Sequence, residues 1–216
     1  RRDATNLFGL RTNARWNLLW SLGGSLKLLD SPDHWMGRLT VRSTYGFSGN
    51  VDPAMSSVTT IRYSGIVDVD TNFPIATFSN YANPDLKWES IGTFNFGIDA
   101  SIWKNSLNLT VDWYRKTGND LYGPALMDPT AGIGTTVIRN AAKMKGKGLD
   151  VMLNAKALRK EHWGLDFQVN LSRSEDHVEE YYLENDLGRQ FVNERTIAGI
   201  KGKPVYSIFS FPWKGL

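Results

Sequence analysis

The chain has 216 residues, 41% of them hydrophobic, with a formal net charge of +3 and an isoelectric point near 9.0. That length suits one all-β domain or a piece of a larger one, and no Lys/Arg block points to a nucleic-acid partner. Cysteine is absent, which excludes disulfide staples and thiolate zinc sites. No apolar run approaches the roughly 18 residues of a membrane helix, although a membrane β-barrel would leave no such run.

In chain order, residues 1–13 are polar and turn-rich and read as a loop with no signal-peptide pattern. A clear alternation then begins: Trp16, Leu18, Trp20, Leu22, Gly24, Leu26 and Leu28 fall on one face, Arg15, Asn17, Leu19, Ser21, Gly23, Ser25 and Lys27 on the other. A short connection over 30–37 leads to a second strand. There Leu39, Val41, Ser43, Tyr45 and Phe47 oppose Arg38, Thr40, Arg42, Thr44 and Gly46. Residues 49–84 form a long connection with a short β-excursion expected over 61–69.

The clearest element follows. A strand over 86–102 sets Trp88, Phe94, Phe96, Ile98 and Ile102 against Lys87, Glu89, Asn95, Asp99 and Ser101. A turn at 104–106 returns the chain through 107–116, where Leu107, Leu109, Val111 and Trp113 alternate with Asn108, Thr110, Asp112 and Tyr114. Residues 118–147 read as a second long connection. Strands over 149–157 and 163–172 flank a turn at 159–162, residues 174–203 form a third long connection, and 205–211 begins a seventh strand.

An apolar face on every strand is compatible with a soluble sandwich, whose apolar faces pack together, and with a membrane barrel, whose apolar face meets lipid. The connections favour the barrel: they run short, long, short, long, short, long. Outer-membrane barrels have short periplasmic turns and longer extracellular loops. The expected fold is therefore all-β, an antiparallel transmembrane β-barrel segment of about seven strands. Residues 1–13 would lie outside, and the turns at 30–37, 104–106 and 159–162 would be periplasmic. An odd strand count does not close a bacterial barrel. The end at Trp213–Leu216 also falls in mid-element, so a segment of a longer polypeptide is expected.

Catalytic and metal motifs are not found. His34, His162 and His177 are far apart and lack ligand spacing. Asp68-Val-Asp-Thr-Asn72 imitates the start of a calcium loop, but Phe73 and Ser79 stand where Gly and Glu are required. Gly132-Ile-Gly134 and Gly199-Ile-Lys-Gly202-Lys203 fail phosphate-loop spacing, and Pro204 replaces the needed Ser or Thr. No carboxylate pair supports glycosidase chemistry. Neither an enzyme nor a cofactor is expected. Exposed aromatic and amide groups in the long connections are the candidate substrate contacts: Tyr63, Asn80, Tyr81, Tyr181 and Tyr182. The same loops would also suit docking of a protein partner. Residues 83–89 read as structural, with Pro84 fixing the loop exit. Trp88 and Trp113 are expected on the lipid face, Trp103 and Trp163 near the inner girdle.

Several stretches, in order, resemble the barrel of SusC/RagA-type TonB-dependent transporters of Bacteroidetes. They are Leu39-Thr-Val-Arg-Ser-Thr-Tyr-Gly-Phe-Ser-Gly-Asn50, Asn83-Pro-Asp-Leu-Lys-Trp-Glu89, Phe94-Asn-Phe-Gly-Ile-Asp99, Leu107-Asn-Leu-Thr-Val-Asp-Trp-Tyr-Arg-Lys-Thr117, Lys147-Gly-Leu-Asp150 and Gly202-Lys-Pro-Val-Tyr-Ser-Ile-Phe209. The resemblance implies a barrel of about 22 strands with an internal plug. It also implies an outer-membrane location and TonB-powered import of large nutrients, glycans or peptides, with a SusD-like surface lipoprotein capping the barrel. The family's plug, TonB box and remaining strands have no counterpart in this sequence. Two rivals stay open at this point: a passive porin-like channel and a soluble carbohydrate-binding or adhesin sandwich.

Overall fold

A computed structural model describes residues 1–5, 15–31, 34–52, 57–126, 128, 136–181 and 199–215. Its strands in chain order are β1 (Arg2–Ala4), β2 (Trp16–Leu18), β3 (Trp20–Asp30), β4 (Met36–Asn50), β5 (Thr60–Val67), β6 (Pro74–Asn80), β7 (Glu89–Ile102), β8 (Leu107–Leu126), β9 (Thr136–Arg159) and β10 (Gly164–Tyr181). Six of them form one antiparallel meander in the order β10-β9-β8-β7-β4-β3. The pairs β1–β2 and β5–β6 are separate two-stranded ribbons.

Two sequence expectations change. Residues 1–13 are not wholly loop: Arg2–Ala4 pairs with Trp16–Leu18, because the main chain beside β2 offers free hydrogen-bonding groups. The expected strand at 205–211 is not formed. Just before it the chain makes one isolated parallel bridge, Val178 with Lys201, and Asp176 accepts a bond from the Val205 amide (2.9 Å). The expected excursion in 61–69 is real and becomes a hairpin with β6 as its second arm.

The long connections are shorter than the sequence pattern indicates. β8 and β9 run to Leu126 and from Thr136, and β10 runs to Tyr181. These outer ends carry charges on both faces. Their pairing is held by cross-strand ion pairs between β9 and β10: Lys143–Glu180 (2.9 Å), Lys147–Glu175 (3.3 Å) and Lys145–Glu179. Hydropathic alternation ends where the apolar band ends, so it stops short of the strands themselves.

The turn ends agree with the sequence reading. Trp103, Lys104 and Asn105 all take positive φ (50°, 52° and 65°), and the Ser106 amide donates to the Trp103 carbonyl (3.0 Å). Trp35, Trp103 and Trp163 lie exposed beside the three short turns. Indole rings at that level suit a membrane interface, with an apolar body and a polar N–H.

The sheet has no second layer among the described residues. Leu22, Phe96, Trp113 and Leu171 are exposed, and no large side chain is fully buried. A sandwich would bury these positions against a partner sheet.

Candidate functional site

Register puts all outward apolar residues on one face. Val41 lies beside Ile98, Val111, Val151 and Leu171, and Tyr45 lies beside Phe94. The opposite face carries Ser25, Arg42, Gly97, Asp112, Asp150 and Ser172 in a single row.

The upper edge of the apolar band is oblique. On β4 it reaches Phe47, which is level in register with Gly92, Thr117, Lys145 and His177 on the following strands. On β7 it reaches Phe94, on β8 Trp113, on β9 Leu149 and on β10 only Leu171. From the β4 level to the β10 level the edge drops by about 20 Å, at roughly 3.3 Å per residue. The four strand-to-strand steps span about 19 Å, at roughly 4.8 Å each. The band therefore crosses the strands at about 45°, the strand tilt of a closed membrane barrel. The aromatic rings of Trp20, Tyr45 and Phe47 cluster at its upper rim, with centroids 5.4–5.7 Å apart. Phe94 stacks edge-on against Trp113 (5.9 Å).

On the polar face, Arg42 ties three strands together. Its Nε donates to Asp99 (2.8 Å) and its Nη2 to Asp112 (2.9 Å), while Thr110 Oγ1 donates to Asp99 (3.0 Å). The guanidinium reaches both carboxylates because Gly97 stands between them. A Cβ there would lie 2.5 Å from an Asp112 oxygen and 2.9 Å from Arg42 Cζ. One row further on, the Tyr114 ring lies over Gly148, where an added Cβ would sit 2.3 Å from the ring. Ser172 donates to Asp150 (2.5 Å). Pairing Arg42 with two carboxylates keeps this part of the wall polar and close to neutral.

Residues 83–89 are clamped between the outer ends of β8 and β9. The Asn83 side chain donates to the Ile138 carbonyl (3.1 Å), and Leu86 is 4% exposed. Asn140 accepts from the Lys87 amide (3.0 Å) and donates to the Lys87 and Asp120 carbonyls (2.8 and 2.6 Å). Lys87 pairs with Asp120 (2.8 Å). Glu89 accepts from Asn50 (2.9 Å) and from the Tyr122 amide (2.8 Å). The Tyr122 hydroxyl donates to the Lys87 carbonyl (2.8 Å), and its pKa is pushed up to about 12 by burial and by the carboxylates of Glu89 and Asp52. Trp88 donates its N–H to the Arg15 carbonyl (3.2 Å). The structural reading of this segment agrees with that geometry. Sequence reasoning missed its partners, Asn140 and Tyr122, and also missed the Arg42 cluster, because alternation says nothing about which strands are neighbours.

The candidate substrate contacts are dispersed. Tyr63 lies exposed on β5. Tyr81 leans on Phe78 (5.2 Å), and its hydroxyl is buried with no partner among the described residues, which raises its pKa. Tyr181 ends β10 with its ring against Gly123 and Gly199, and burial raises its pKa too. Asn80 pairs through its backbone with Thr60, its side chain lying outside the described residues, as does the whole of Tyr182. No described ring contact or hydrogen bond joins Tyr63 or Tyr81 to Tyr181.

The family model described as TonB dependent receptor-like, beta-barrel matches residues 1–208. The chain belongs to this TonB-dependent receptor β-barrel family. Receptors of this family are outer-membrane β-barrels. Among curated relatives, TonB-dependent receptor P3 of Formosa agariphila is 24% identical over 186 residues, 81% of this chain and 18% of the relative. TonB-dependent receptor P39 of the same organism is 34% identical over 96 residues, 44% of this chain and 9% of the relative. The chain thus spans less than a fifth of the length of these relatives. Among solved structures, the RagAB peptide importer in its closed-closed state matches with a TM-score of 0.70 at 22% identity, over 82% of this chain and 20% of that one. A second RagAB peptide transporter structure matches with a TM-score of 0.69 at 23% identity, over 81% of this chain and 19% of that one. The barrel fold follows, and the sheet is a section of such a wall.

Proposed function

We propose that this chain forms part of the wall of an outer-membrane active transporter. It imports large nutrients, glycans or peptides, with energy delivered through TonB and with a SusD-like lipoprotein over the outer mouth. The observation that carries the reading is the oblique apolar band on one face and the ion-paired polar face behind it, in a chain of this family. The band meets lipid, and Arg42, Asp99 and Asp112 line a wet interior. The plug, the TonB box and the remaining strands belong to sequence beyond these residues. In this reading the chain supplies wall, lumen lining and outer loops, and no covalent chemistry. Tyr63, Asn80, Tyr81, Tyr181 and Tyr182 remain the candidate contacts for substrate or lipoprotein.

Spin labels at Phe94, Phe96, Asn95 and Gly97 of the full-length protein test the orientation. Oxygen from the lipid phase reaches 94 and 96, and an aqueous quencher reaches 95 and 97. Shielding of 94 and 96 from both probes would return the fold to a sandwich and remove the transport reading with it. Uptake that persists with TonB deleted would favour the passive channel.

A further inference from the structure

The oblique rim of the apolar band singles out three residues. On each of β8, β9 and β10, the first outward side chain beyond the band is a cation. Arg115 follows Trp113, Lys147 precedes Leu149 and Arg173 follows Leu171. Arg115 and Lys147 are direct cross-strand partners, and Arg173 lies two residues along β10 from Glu175, the residue level with Lys147. We propose that Arg115, Lys147 and Arg173 form an outward-facing site for the phosphate of a membrane lipid headgroup. The inference rests on the barrel reading given above.

Three features support a phosphorylated lipid over plain snorkelling. First, all three side chains are exposed. Glu175 accepts from Lys147 (3.3 Å) and Arg173 (2.8 Å), and it spaces them apart without neutralising both. Arg115 makes no ion pair among the described residues. Second, the place is concave. A cleft of about 490 Å³ is lined by Trp113, Arg115, Lys147, Glu175 and Pro204. A second, of about 440 Å³, shares Trp113 and Arg115 and runs over Gly92 between Tyr45, Phe47 and Phe94. Arg115 therefore stands where the two clefts meet, beside the aromatic trough. Third, a cation above an apolar trough matches the order of an anionic lipid, phosphate outermost and acyl chain below. Guanidinium groups bind phosphate oxygens through paired N–H donors. Gly92 keeps the trough open, since a Cβ there would lie 3.1 Å from the Phe47 ring.

The test uses the full-length protein in detergent and native mass spectrometry with three probes: diphosphorylated lipid A, dephosphorylated lipid A and inorganic phosphate. Each cation near a charged membrane surface is worth about fivefold in binding, so R115Q/K147Q/R173Q should weaken binding of the diphosphorylated lipid on the order of a hundredfold. R115Q alone should weaken it about fivefold, and it serves if the triple variant folds poorly. R115K/K147R/R173K should retain binding, as should K116Q on the inner face. Dephosphorylated lipid A should bind weakly and equally to the wild type and the triple variant. Equal binding of the diphosphorylated lipid by wild type and triple variant would overturn the site. Displacement of lipid by inorganic phosphate would assign it to a free anion instead. The label at Phe96 separates the two levels. Lipid contact there without any effect of the cations removes this inference alone; shielding there removes the barrel as well.

Discussion

Phe47 and His177 are level in the hydrogen-bonded register, four strand steps apart. In an untilted sheet they would lie at one depth. If the apolar rim marks the membrane surface, the row joining them climbs about 14 Å along the membrane normal, at roughly 4.8 Å per step and a tilt near 45°. Spin labels at Phe47→Cys, Thr117→Cys, Lys145→Cys and His177→Cys, introduced singly into the full-length protein in vesicles, measure this climb. The ratio of oxygen to aqueous-quencher accessibility should be highest at 47 and fall steadily towards 177. His177 should behave as a site in open water. Equal ratios at 47 and 177 would refute the tilt, and with it the assignment of the band to lipid. A high ratio at 177 with a low one at 47 would mean that the sheet tilts the opposite way to the drawn rim.

The clamp on residues 83–89 gives a second expectation. Asn140→Ala removes three hydrogen bonds and leaves the Lys87 amide without its acceptor, a loss of about 2–3 kcal/mol locally. Hydrogen exchange should speed up at Lys87 and not in 107–113; unchanged exchange at Lys87 would remove the clamp. Arg42→Ala should lower stability by only about 1–2 kcal/mol, because its pairs are more than a third exposed or nearly so. Denaturant unfolding with Asp112→Asn as the second arm of a double-mutant cycle should show coupling between the two. Tyr122 supplies a pH test. Its folded pKa is raised to about 12 from 10.0, so the stability it contributes is complete below pH about 10 and is lost as pH rises towards about 12. Tyrosinate absorbance should lose its last titration step in Tyr122→Phe; an unchanged last step would place the late-titrating hydroxyl elsewhere.

Alternation alone determined much of the architecture. Since side chains change face at every residue, Phe94-Asn-Phe-Gly-Ile-Asp99 and Leu107-Asn-Leu-Thr-Val-Asp112 fix their strands and their two faces without any knowledge of neighbours. The short turns at 104–106 and 159–162 were legible for the same reason, as breaks between alternating runs. Pattern could not show where strands stop once both faces become polar. β8, β9 and β10 therefore run on beyond their apolar parts, held by pairs such as Lys143–Glu180. Nor could it show that 205–211 forms no strand beside the free edge of β10, because an apolar alternation there carries no record of how the segment lies against its neighbour. Register belongs to tertiary structure alone. Only pairing brings Arg42 to Asp99 and Asp112 across 57 and 70 residues of sequence. Pairing sets Arg115 beside Lys147, and the slope of the band puts Arg173 at the same rim, because register and tilt are properties of the sheet and not of any strand within it.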